Sequence, residues 1–166
     1  MFFKRKKKEE NLPYLDIPSP LPGKIIPLDQ VEDEAFSSKA MGEGFAILPD
    51  LGKVTAPFAG KIAHIMEKSK HAVILEHESG VQLLIHVGMN TVALKGEGFK
   101  AHVKSGDRVK KGQLLLEFDI DFIRQEGYSV ITPVIVPAGQ ETVKTIEQIN
   151  TDQGSLEETV LRIHFN

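Results

Sequence analysis

The chain has 166 residues, 41% of them hydrophobic and 26% charged, with a formal net charge of -3, the composition of an ordinary globular domain large enough to bury a core. The slight negative charge gives no footprint for nucleic acid, and the absence of cysteine excludes disulfides, thiolate nucleophiles and cysteine metal sites, which suits a cytoplasmic protein. No apolar run approaches the roughly 20 residues a helix needs to span a bilayer.

Residues 1–10, MFFKRKKKEE, are a charge block behind two phenylalanines, and a secretory signal would need an apolar stretch where Glu9 and Glu10 stand. Two readings remain for residues 1–16. One is a flexible, solvated basic tail; the other is a weak tether to an anionic membrane, with Lys4 to Lys8 as the attraction and Phe2-Phe3 as a wedge. The folded part is expected to start at Ile17 and to run to Asn166 as one domain. Pro20-Leu21-Pro22-Gly23-Lys24-Ile25-Ile26 recurs in looser form as Pro57-Phe58-Ala59-Gly60-Lys61-Ile62-Ala63, 37 residues on. Each copy reads as a turn entering a strand, so an internally duplicated β fold is expected. Between the copies, Val31 to Met41 reads as a short helix or irregular loop ending at Gly42. Strands are expected over 45–49, 60–66, 91–94, 99–103, 113–118, 130–136, 142–149 and 159–165, with one brief helix over 120–125. Many short strands separated by turn signals argue for an all-β antiparallel sandwich or barrel with only short helical segments.

The stretch His71 to Val87, HAVILEHESGVQLLIHV, reads as a hairpin of two apolar strands with a histidine near each open end. If Ser79-Gly80 is a two-residue loop, His86 falls opposite Val73 and His71 becomes its diagonal neighbour on one face. A three-residue loop would reverse the parity and place the two histidines on opposite faces. The other four histidines have weaker cases. His64, His102 and His164 sit in expected strands with no polar partner suggested by spacing, and His77 lies at the far end of the hairpin.

An imidazole pair on an apolar surface can bind a metal, act as base and nucleophile, or carry a phosphoryl group on one nitrogen. The chain has no G-x-S-x-G elbow, no H-x-H or H-E-x-x-H metal spacing and no phosphate-binding glycine loop opening a helix. No lysine is framed as Met-Lys-Met, as a lipoyl or biotinyl carrier would require.

Four runs carry a family resemblance: DEAFSSKAMGEGFAI (Asp33 to Ile47), KHAVILEHESGVQLLIHVGMNTVALKGEGF (Lys70 to Phe99), SGDRVKKG (Ser105 to Gly112) and ITPVIV (Ile131 to Val136). Together they resemble the glucose-type enzyme IIA of the bacterial phosphoenolpyruvate-dependent sugar phosphotransferase system, over residues 17–166. The resemblance implies an antiparallel β-sandwich with a duplicated motif. It also implies a phosphohistidine carrier that takes a phosphoryl group from the histidine phosphocarrier protein HPr and passes it to a cysteine of a sugar-specific IIB domain or IIBC permease.

By motif position, His86 matches the phosphorylated histidine and His71 the neighbour that hydrogen-bonds the phosphoryl group. Ser69 stands where the family usually has a supporting threonine, and Gly88 matches the glycine whose carbonyl holds the other ring nitrogen. Phe36, Met41, Leu84 and Val87 match an apolar docking ring, and the family has an aromatic where this chain has Leu84. Asp33 matches a carboxylate that meets an arginine of the donor. Asn90 replaces a second family carboxylate and removes a charged pair from donor docking.

The resemblance requires no cofactor, although His71 and His86 could hold zinc together with a partner's carboxylate. Two rivals to the carrier reading are a lysostaphin-like zinc hydrolase and a regulatory module that binds permeases or kinases. Neither the sugar nor the IIB partner is written in the sequence.

Overall fold

A computed structural model describes residues 13–149 and 151–166. The two readings of the basic tail fall, for residues 1–12, outside the described residues. The first strand, β1 (Tyr14–Pro18), starts three residues before the boundary expected at Ile17. It pairs antiparallel with β14 (Thr159–Phe165), and Phe165 N–H donates to Pro13 O at 2.9 Å. Arg162 secures the same strand pair through a two-pronged contact with Asp16, at 2.7 and 3.2 Å, with its guanidinium 4.2 Å from the Tyr14 ring centre.

The fold is all-β and antiparallel. β12 (Val143–Gln148) completes one three-stranded sheet in the order β1-β14-β12. A second small sheet runs β4 (Lys53–Thr55), β10 (Leu114–Phe118), β8 (Phe99–Ala101). The large sheet has eight strands, in the order β13 (Gln153–Gly154), β2 (Gly23–Pro27), β3 (Gly42–Pro49), β11 (Thr132–Pro137), β7 (Gln82–His86), β6 (Ala72–His77), β5 (Gly60–Ile65), β9 (Arg108–Val109). Val73, Leu75, Leu83 and Ile85 of the large sheet meet Leu115, Leu116, Leu161 and Ile163 of the small ones in one buried cluster. Each such side chain withdrawn from water contributes about 1.5–3 kcal/mol, which is why the period-2 apolar strands settle with that face inward.

The duplicated turn-strand units occupy matching places in the large sheet. β2 pairs with β3 and with β13, while β5 pairs with β6 and with β9, so the order reads the same from either end about the β11–β7 seam. Even the bonds at the two edges correspond, with Ile25 N–H donating to Asp152 O and Ile62 N–H to Asp107 O, at 2.9 and 2.8 Å.

Helix is scarce, as the sequence indicates. The 31–41 region holds only α1 (Glu34–Ser37), whose cap is Asp33; its carboxylate accepts from Ala35 N–H at 3.0 Å. The brief helix α2 (Ile120–Gln125) has the expected bounds, set by Asp119 accepting from Phe122 N–H. The strand expected over 91–94 is instead a 3-10 turn entered through Asn90, whose backbone is left-handed with φ 59°. His102 and His164, for which no polar partner was expected, face Glu117 and Glu147 across their sheets at 2.8 and 3.0 Å. Cross-strand pairing supplied partners that spacing along the chain could not reveal.

The hairpin register differs from the two-residue expectation. Ala72 lies opposite His86, Val73 opposite Ile85 and Glu76 opposite Gln82, so the loop is Glu78-Ser79-Gly80, closed by His77 N–H donating to Val81 O at 2.8 Å. The turn chemistry explains the difference. A two-residue loop beginning with Ser79 would need positive φ at a residue with a side chain, whereas the three-residue loop puts the left-handed position on Gly80, φ 95°. His77 adds a local lock, with Nδ1 accepting from Ser79 N–H at 3.1 Å. Val73 and Leu75 therefore face the core with Leu83 and Ile85, not the solvent side with His86.

Candidate functional site

With this register strict strand alternation would separate His71 from His86, yet their ring centres are 4.8 Å apart and the rings nearly perpendicular, at 87°. The reconciling fact is where the ladder begins. β6 starts at Ala72, and the chain reaches it through Lys70 in a left-handed conformation, φ 56°, so the pleat does not govern where His71 points. The His71 carbonyl still accepts from Val87 N–H at 2.7 Å, holding the residue beside the end of β7. The side-chain juxtaposition expected from sequence is present, and the register expected to produce it is not.

Each ring is held by one defined partner on its Nδ1 side. His86 Nδ1 lies 2.9 Å from Gly88 O, and because a carbonyl only accepts, this nitrogen carries the proton. His71 Nδ1 lies 2.7 Å from the Ser69 hydroxyl, and Ser69 is itself buried. Among the described residues neither Nε2 has a side-chain or backbone partner, and no buried side-chain nitrogen or oxygen is left unpaired. Both Nε2 atoms therefore reach solvent. Phe36 of α1 packs on the other side of His86, its ring centre 5.1 Å away.

Burial sets the charge state of the pair. The pKa of His71 falls from 6.5 to about 4, first because its imidazolium would be desolvated and second because His86 stands beside it. Desolvation also lowers His86, against the opposing pull of the Gly88 carbonyl and the more distant Asp33 carboxylate. Both rings are neutral at pH 7. The His71 shift has a consequence for stability. Between about pH 4 and 6.5 the unfolded chain binds a proton at this residue that the folded chain excludes, so stability rises with pH across that window and is lost as pH falls. The shift corresponds to roughly 3 kcal/mol. Denaturant unfolding of wild type and His71→Gln from pH 7 to pH 4 is expected to show wild type losing that much more than the variant; parallel profiles would contradict the assignment.

The apolar surroundings of His86 form a second, smaller core on the outer face of the large sheet. Leu28, Val31 and Phe36 from the 28–37 segment close over Ala46 and Ile135, with Ile26, Leu84 and Ile131 at the margin. Two of the four expected docking-ring residues need correction here. Val87 is fully buried and belongs to the main core, because it alternates inward with Ile85. Phe36 is only 5% exposed and serves His86 as packing. Met41 is 40% exposed, and Leu84 is half-buried beside Phe36. Val92, which the sequence reading passed over, is 52% exposed on the 3-10 turn after Gly88. Asp33 is half-buried and committed through one oxygen to capping α1, while Asn90 is exposed in a backbone conformation that asparagine tolerates well.

Two further residues that sequence reading missed act on the Gly88 loop. The buried Thr91 hydroxyl donates to Val87 O, and Met89 N–H donates to Ser129 O at 3.0 Å. No local signal pointed to them, since Ser129 arrives from the segment leading into β11.

The arrangement is open. Four concavities among the described residues are lined without His71 or His86, and the two Nε2 atoms, without a partner of their own, face a surface that a macromolecule can cover. Among the described residues no three His, Cys, Asp or Glu side chains converge to hold a metal. Two imidazoles fall short of a zinc site's usual set of protein ligands, which leaves the zinc-hydrolase rival without its ligands. No helix of the described residues is long and apolar enough to cross a membrane.

Comparison with known proteins agrees with this picture. The family described as phosphoenolpyruvate-dependent sugar phosphotransferase system, EIIA 1, matches residues 15–142. The solved structure of glucose permease IIA from Mycoplasma capricolum is 33% identical and superposes with a TM-score of 0.77, over 90% of this chain and 95% of that one.

Proposed function

The chain belongs to the EIIA type 1 family of the phosphoenolpyruvate-dependent sugar phosphotransferase system and is a phosphoryl carrier of that system; from this membership we propose the route its phosphoryl group takes. HPr donates to His86 Nε2, and a cysteine thiolate of a IIB domain or IIBC permease then removes the group, both steps taking place in the cytoplasm. The observation that carries this reading is the His86 ring, neutral at pH 7, with Nδ1–H on Gly88 O and Nε2 unsealed and without a partner among the described residues.

In the first step the P–N bond of the donor's phosphohistidine breaks and a P–Nε2 bond forms with the His86 lone pair. Nδ1 keeps its proton throughout, and Gly88 O stabilises the positive charge that the phosphorylated ring acquires. In the second step thiolate sulfur attacks phosphorus and the ring departs as neutral imidazole. Ser69 O–H donating to His71 Nδ1 leaves the proton of His71 on Nε2, where it donates to a phosphoryl oxygen beside His86. Transfer is then positioning and charge stabilisation, for which the pair needs neither metal nor nucleotide.

Docking falls to the exposed apolar margin around the pair, Met41, Leu84 and Val92. Covering that margin would exclude water and protect the phosphohistidine from hydrolysis during transfer. Asp33 offers its second carboxylate oxygen to a donor arginine, and Asn90 contributes polarity without charge. The whole route is tested by charging the protein with labelled phosphoenolpyruvate, enzyme I and HPr, then chasing with a panel of IIB domains. Label is expected to enter this protein and to leave it for at least one IIB; failure to charge would overturn the route.

A further inference from the structure

The carrier chemistry proposed above needs one backbone carbonyl, that of Gly88, to point at His86 Nδ1. A loop carbonyl turns with its peptide plane, so its direction is only as fixed as the planes on either side of Gly88. Both are tied. Gly88 C=O and Met89 N–H belong to one trans peptide unit and point in opposite directions. Met89 N–H donates to Ser129 O at 3.0 Å, and this turns Gly88 O toward the ring, where it accepts from Nδ1 at 2.9 Å. The preceding peptide unit is held at its carbonyl end, where the Thr91 hydroxyl donates to Val87 O. Asn90, left-handed at φ 59°, turns the chain so that Thr91 comes under Gly88.

The fit around Gly88 is close. Gly88 has φ 75°, and a Cβ built on it would lie 2.5 Å from Thr91 Cγ2 on one side and 2.7 Å from Ser129 O on the other. Thr91 is fully buried. Its two branches thus meet the loop at separate points, the hydroxyl on Val87 O and the methyl group against Gly88. Valine at this position would keep the shape and lose the tether; serine would keep the tether and lose the methyl contact.

We propose that Thr91 is a positioning residue for phosphoryl transfer, its buried hydroxyl fixing through Val87 O the Gly88 carbonyl that holds His86 as the Nδ1–H tautomer. It does not touch the phosphoryl group. It acts by keeping the Nε2 lone pair presented to the incoming phosphorus, and it rests on the reading of His86 as the acceptor.

The test uses the full-length protein without phosphate, with wild type, Thr91→Val and Thr91→Ser each confirmed as folded by their amide spectra. Nitrogen-15 shifts of the His86 ring report the tautomer directly, and quench-flow with phosphorylated HPr reports acceptance. Wild type and Thr91→Ser are expected to show one Nδ1–H tautomer. Thr91→Val is expected to show a mixture with Nε2–H and acceptance about tenfold slower, in keeping with the rate cost of small misplacements. A folded Thr91→Val with an unmixed tautomer and wild-type acceptance would overturn the proposal, as would a Thr91→Ser protein that mixes tautomers as the valine variant does. If Thr91→Val mixes the tautomer while wild type accepts no phosphate from HPr, the positioning role stands and the carrier route fails.

Discussion

Replacing His86 with alanine is expected to reduce phosphoryl acceptance from HPr to background while leaving the fold intact. The nucleophile is a single nitrogen, and no second group can take its place. His71 is only 4% exposed, is pushed to a pKa of about 4, and has its Nδ1 engaged by Ser69. Its open nitrogen, on this account, carries a proton and not a lone pair. His77 is turned onto Phe58 and Ser79 at the other end of the hairpin. The loss should therefore be at least about 10³-fold, the scale on which removing a covalent nucleophile is felt. Structural cost should be small, because His86 lies on the outer face of β7 and its removal opens space beside Phe36 without touching the main core. Incubation with labelled phosphoenolpyruvate, enzyme I and HPr, with unfolding midpoints as a control, measures both. Acceptance by the variant within tenfold of wild type would mean that another residue carries the group.

His71→Gln is expected to behave differently in the two half-reactions. Glutamine keeps an N–H donor of similar reach, so acceptance from phosphohistidine, in which a neutral imidazole is the nucleophile, should fall by no more than about tenfold. Onward transfer brings a thiolate to a phosphoryl dianion and adds a further negative charge to the transition state. A phosphoryl group on His86 pulls the His71 pKa upward and favours the imidazolium, a charged donor that glutamine cannot supply. Loss of one such donor costs on the order of 10²–10³ in rate. Single-turnover measurement of each step separates them, and equal slowing of both would argue that His71 merely shapes the site.

Much of this site was legible because its elements are local. The Leu83-Leu84-Ile85-His86 alternation shows that His86 leaves the core face, and the family resemblance names Gly88, two residues on, as the carbonyl that meets its ring. Ser69 reaches His71 across a similar gap. The brief helix expected over 120–125 is present with those bounds, capped by Asp119. What failed was long-range or decided by turn chemistry. The hairpin register turned on whether Ser79 or Glu78 opens the loop, and Gly80 in the third position was the unread signal. Val87 was placed on the rim by its match to the family's docking ring, although the strand alternation puts it on the core face, opposite His86, where the structure buries it. Ser129 could not be assigned to the site because only the β11–β7 pairing brings it there.

The phosphoryl group is expected to reside on Nε2 of His86. Phosphorus-31 and nitrogen-15 spectra of the wild-type protein charged through HPr locate the bond, and fragmentation of the peptide carrying His71, His77 and His86 locates the residue. One phosphoimidazole is expected, at His86, with phosphorus coupled to Nε2 and the proton retained on Nδ1. Phosphorus on Nδ1, or on any other residue, would contradict it.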